Sequence, residues 1–64
     1  MLTFTVPDMT CDHCVAAIST EVTAVAGVTS VTCDLTTKVV TVDGEGLDRA
    51  ALVAAIDEAG FDVA

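Results

Sequence analysis

A chain of 64 residues with ten Asp or Glu against two Lys or Arg carries a formal net charge of -8. Lys38 and Arg49 alone cannot build a phosphate-binding patch, which excludes nucleic acid as a partner. At 53% hydrophobic the composition is too apolar for disorder. The longest uncharged run, residues 22–33, is 12 residues long and falls short of the about 20 that a membrane-inserted helix needs.

Leu2, Phe4 and Val6 alternate with Thr3 and Thr5, the period-two pattern of a half-buried strand that Pro7 and Asp8 end. Residues 10–14 carry polar and sulfur chemistry without apolar periodicity. From Val15 the period changes: Val15, Ile18, Val22 and Val25 share one face of a helix, with Gly27 as its stop. Residues 28–35 return to strand chemistry, with Val31, Cys33 and Leu35 on one side. Thr36 and Thr37 turn the chain without an obvious tight-hairpin residue, and residues 38–42 make a third strand with Val40 and Val42 inward.

After a loop at residues 43–46, Asp48 caps a second helix whose Leu52, Ala55, Ile56 and Ala59 share a face, and Gly60 ends it. Residues 61–64 leave room for a short final strand. The order β-α-β-β-α-β, with one apolar face per helix, predicts an α+β ferredoxin-like sandwich. Four antiparallel strands would carry both helices on one face, in a single domain over residues 1–64.

So small a domain buries only about 60% of its unfolded surface, so a loop site suits it better than a deep cavity. Cys11-Asp12-His13-Cys14 lies where such a site is expected, between the first strand and the first helix. A helix start favours thiolate over thiol, most of all at Cys14. Two thiolates suit a soft ion of low coordination number such as Cu(I), whereas structural zinc takes four protein ligands. A redox-active dithiol and half of a zinc site completed by a partner stay open on spacing alone. Three cysteines cannot form a complete internal disulfide framework, and residues 1–8 lack a basic start with an apolar core; both lead to a cytoplasmic expectation.

Met9-Thr10-Cys11-Asp12-His13-Cys14 resembles the MxCxxC motif of the heavy-metal-associated domain family, in the MxCxHC form common in bacterial copper chaperones. The likeness runs through Gly27-Val28, Val40-Thr41-Val42, Ala55-Ile56 and Ala59-Gly60-Phe61. It implies a copper chaperone, not an enzyme, that binds Cu(I) through Cys11 and Cys14. Delivery would be to a copper-exporting P-type ATPase, its metal-binding domain or another acceptor. Mercury or zinc carriage on the same fold is the alternative, and Thr10 counts against zinc, because zinc-directed relatives often carry Asp there. Phe61 stands where many bacterial members have Tyr and eukaryotic ones Lys, and would give the site apolar cover. The β2–β3 turn also lacks the family's frequent Gly.

Met9 is expected to pack beneath the loop, Cys33 to act as a small core hydrophobe, and Asp12 to lie on the surface. The chain is expected to be a monomer without metal, with His13 near the bridge of a copper-linked dimer. The acidic faces reflect either docking to a basic partner or salt adaptation.

Overall fold

The computed structural model describes residues 1–64. Five elements follow one another: β1 (Leu2–Thr5), α1 (Asp12–Thr23), β2 (Val28–Asp34), β3 (Val39–Gly44) and α2 (Arg49–Glu58). The sheet is antiparallel in the order β1-β3-β2. Its register lines up Leu2, Val42 and Val31 across the strands, and next to them Phe4, Val40 and Cys33. Because side chains alternate along a strand, these two rows share one face and the row Thr3, Thr41, Thr32 occupies the other.

Both helices cover the apolar face. Ile18 and Val22 from α1, and Leu52, Ala55 and Ile56 from α2, join Phe4, Val6, Met9, Val40 and Val42 in one buried cluster. Of the expected inward residues, Ile18, Val22, Leu52, Ala55, Ile56, Val40 and Val42 are in the core, while Val15, Val25 and Ala59 are half-buried against it, and Val25 lies beyond the end of α1. Arg49 closes it at one side, its guanidinium 4.6 Å from the centroid of the Phe4 ring. No helix is long and apolar enough to cross a membrane.

The expected fourth strand does not form. The N–H of Ala64 donates to the carbonyl of Thr5 at 2.8 Å, a single bond along the outer edge of β1. The reason lies in how α2 ends. Gly60, at φ 93, makes a left-handed cap in which its own N–H bonds the Asp57 carbonyl and the N–H of Phe61 bonds the Ile56 carbonyl. Phe61 is thereby used in stopping the helix, and three residues are too few for a ladder.

The β2–β3 connection differs as well. Lys38 is the last residue of the turn rather than the first of β3, and it adopts a left-handed φ of 64. The Asp34 carboxylate builds this turn by accepting the N–H groups of Thr36 and Thr37 at 2.8 and 3.2 Å. At the opposite end of the sheet, Gly27 does not stop α1 as expected, since the helix ends at Thr23 with Ala24 as its cap; it serves the sheet instead. A Cβ there would run into the carbonyl of Glu45, whose N–H bonds Gly27 at 3.0 Å.

Candidate metal centre

The first strand ends in a tight loop that leads to the cysteine pair. The N–H of Val6 donates to the carbonyl of Lys38 at 2.8 Å, and the N–H of Met9 to the carbonyl of Val6 at 3.1 Å. Met9 is completely buried, as expected of a residue packing beneath the loop, while Thr10 and Cys11 above it are exposed.

Helix α1 begins at Asp12, three residues before the first apolar position of its periodic face. Cys11 is its N-cap residue in an extended conformation (φ -148, ψ 171), and its side chain caps nothing. Cys14 lies in the first turn, half-buried and packed against the core. The chain thus sets one exposed sulfur opposite one held by the helix. The two Sγ atoms are 3.3 Å apart. That is well beyond the about 2.05 Å of a disulfide, and all three cysteines are free thiols.

The thiol of Cys14 is held below its ordinary value of 9.0. The largest cause is the backbone N–H of Thr10, followed by the thiol of Cys11; burial opposes them, and the Cys11 N–H and Thr10 hydroxyl add smaller contributions. The expectation of a favoured thiolate at Cys14 holds, with the donors supplied by the loop residues just before the helix.

Nothing else converges on the sulfurs. No group of three or more His, Cys, Asp or Glu side chains is placed to hold a metal ion. His13 and Asp12 are exposed. Cys33 is half-buried on β2, its sulfur 3.8 Å from the Ser19 hydroxyl, and packs against the core as a small hydrophobe. Phe61 is half-buried and lines an open groove along α2 with Val53, Ala54 and Val63.

One residue beside the site was absent from the sequence expectations. The ammonium of Lys38 donates to the carbonyl of Met9 at 2.9 Å, two residues before Cys11. Its only legible signal was its position as the sole lysine next to a turn without glycine.

Two sulfurs so placed can take an ion between them. Two metal–thiolate bonds of about 2.3 Å in line would need the sulfurs ~4.6 Å apart. The pair must therefore open on loading a two-coordinate ion. Cys11, exposed and uncapped, is the side chain able to swing, while Cys14 stays fixed in the helix.

Comparison with known proteins gives the same frame. Residues 3–62 match the model of the heavy-metal-associated domain. No curated protein sequence matches the chain. Among solved structures it is similar to a CopZ metallochaperone, at 28% identity and a TM-score of 0.93 over 98% of this chain and 97% of that one. It is similar to the copper chaperone Atx1 from Synechocystis PCC6803, at 35% identity and a TM-score of 0.87 over 100% of both chains. It also resembles oxidized MerP from Ralstonia metallidurans CH34, at 26% identity and a TM-score of 0.87 over 98% of this chain and 90% of that one. With its fold, its paired cysteines and a model match over nearly its whole length, the chain belongs to the heavy-metal-associated domain family.

Proposed function

We propose that residues 1–64 act as one Cu(I) carrier, a metallochaperone that holds the ion between Cys11 and Cys14 and passes it on by ligand exchange. The observation that carries this reading is the bare two-sulfur site: thiols 3.3 Å apart at an exposed helix start, with no third ligand gathered around them. A soft monovalent ion is satisfied by two thiolates, and zinc is left two ligands short. The likeness to the CopZ metallochaperone and to the copper chaperone Atx1 supports the same choice.

Loading starts at Cys14. Its lowered pKa makes it the first to give up a proton to solvent and bond the ion, and Cys11 then loses its own proton to solvent as it swings in to complete the pair. Transfer reverses the order. A partner's cysteine thiolate bonds the two-coordinate ion, the Cu–S bond to Cys11 breaks, and Cys11 takes up a proton. A second partner thiolate then displaces Cys14. No redox change occurs. The acceptor is a copper-exporting P-type ATPase or its metal-binding domain, and the ligand set is open enough for exchange without prior dissociation.

Anaerobic titration should give one tightly bound Cu(I) per monomer, lost in Cys11→Ser and in Cys14→Ser. Full affinity in both variants rejects the site. The same two-sulfur site favours one second reading, a mercury carrier, since Hg(II) also takes two thiolates. Native mass spectrometry of protein from cells grown with added copper, zinc or mercury separates the readings by the ion retained, and a doubled mass with copper reports a copper-linked dimer.

A further inference from the structure

Lys38 is one of two cations in a chain with ten carboxylates, yet its ammonium is turned inward to a backbone carbonyl. A solvated lysine would lose little by facing water or an acid, and lysine is among the residues least often buried. Here it is half-buried, with Nζ 2.9 Å from the oxygen of Met9. Its backbone sits at φ 64, a left-handed conformation that residues other than glycine adopt infrequently.

The same residue touches the other end of the loop. Its carbonyl accepts the N–H of Val6 at 2.8 Å, and the N–H of Met9 returns to the carbonyl of Val6 at 3.1 Å. Residues 6–9 are thus folded on themselves and gripped at both ends by one side chain and one carbonyl from the β2–β3 turn. Thr10 comes next, and Cys11 directly after it. Whatever fixes the Met9 peptide fixes the start of the path to both sulfurs.

We propose that Lys38 is a positioning residue for the metal-binding loop, a latch from the β2–β3 turn that holds the Met9 carbonyl and thereby presets the path to Cys11 and Cys14. The inference rests on reading those two cysteines as the metal site. The left-handed turn delivers the long side chain to the loop, and the hydrogen bond to a charged donor holds it there. Releasing the latch leaves both thiols present but the loop less ordered, so the ion is bound at the expense of fixing the loop anew.

The test uses Lys38→Met, which keeps the stem without the ammonium, and Lys38→Arg, which restores a cationic donor. Lys38→Gly relieves the positive φ while removing the latch. Arg49→Met is the control, since it changes the net charge as Lys38→Met does. Amide hydrogen exchange at Met9 and Val6 in the metal-free protein is read beside Cu(I) affinity in competition with a chelator. Loss of a bond to a charged donor should speed exchange at Met9 on the order of tenfold beyond any global change, and weaken Cu(I) by a similar factor. Lys38→Arg should recover most of both, and Lys38→Gly should match Lys38→Met in exchange while retaining a higher thermal midpoint.

Exchange at Met9 that follows global stability alone, or responds equally to Arg49→Met, overturns the latch. So does unchanged Cu(I) affinity in Lys38→Met when the wild type binds Cu(I). If the wild type binds no Cu(I), the copper reading fails, and the exchange data decide the latch by themselves.

Discussion

A cysteine sulfur becomes a ligand only as thiolate, so the donors around Cys14 decide how readily it enters the exchange. The N–H of Thr10 and the thiol of Cys11 outweigh the opposing effect of burial and hold its pKa below 9.0. A group depressed in the folded state binds fewer protons there than in the unfolded chain. Its contribution to stability is therefore fully present above the unfolded value and lost as pH falls through the folded one; between the two, stability rises with pH. The accompanying chemical expectation is direct. Site-resolved alkylation of Cys14 by iodoacetamide should reach half its plateau rate below pH 9.0 in the folded protein and move up in urea. The same midpoint in both states would show that the Thr10 and Cys11 donors do not act on this sulfur. The residue next to the site that the sequence did not disclose, Lys38, acts through a backbone carbonyl, and no side-chain pattern encodes a carbonyl partner 29 positions away.

At the scale of elements, the two helices begin in opposite ways. Asp48 caps α2 by accepting the N–H of Ala50 at 3.0 Å, whereas Cys11 heads α1 with no capping bond. The proposed metal site occupies the position where a helix would take Ser, Thr, Asp or Asn. Cys11→Ser should stabilise the apo protein by about 0.5–1 kcal/mol through a new bond to a first-turn N–H, while abolishing Cu(I) binding. Thermal unfolding checks it: a midpoint raised by a few degrees is expected for a domain of this size, and no rise would mean that α1 gains nothing from a cap. This explains what the sequence made legible. Ile18, Val22, Leu52, Ala55 and Ile56 recur at helical spacing and are all in the core. The start of α1 was hidden because its first residues, Asp12, His13 and Cys14, follow no apolar period and the N-cap position holds a cysteine, which is not a residue type that signals a cap. The two cysteines were legible as a pair by spacing, and the structure brings their sulfurs together. Thr36 and Thr37 do turn the chain, as read, but the residue that builds the turn, Asp34, was not legible, because it lies before them at the end of β2. The absent fourth strand follows from Phe61, which one cap claims before any ladder can.

At the scale of the molecule, a charge of -8 is confined within a radius of gyration of 10.2 Å. Neither cation is engaged with a carboxylate in the contacts described above: Lys38 goes to the Met9 carbonyl and Arg49 to the Phe4 ring. Charges interact over about 30 Å at 0.01 M salt but only about 3 Å at 1 M, so at low salt every carboxylate senses the others across the whole fold. Self-repulsion of this kind destabilises the compact state. The thermal midpoint should therefore rise with sodium chloride over that range, and a fall would show that attractive pairs dominate. Docking should respond with the opposite sign. A bis-thiolate Cu(I) adds one negative charge to the carrier, so an acceptor that captures it quickly must present a basic face around its own cysteines. Screening that attraction should slow the second-order transfer rate as salt increases. Stopped-flow transfer to such an acceptor, run beside thermal unfolding in the same buffers, separates the two effects of one charge. A lower thermal midpoint at low salt together with faster transfer at low salt fits a carrier whose acidity serves docking. Transfer independent of salt, with stability still rising, would leave the acidity as an adaptation to salt and remove steering from the mechanism.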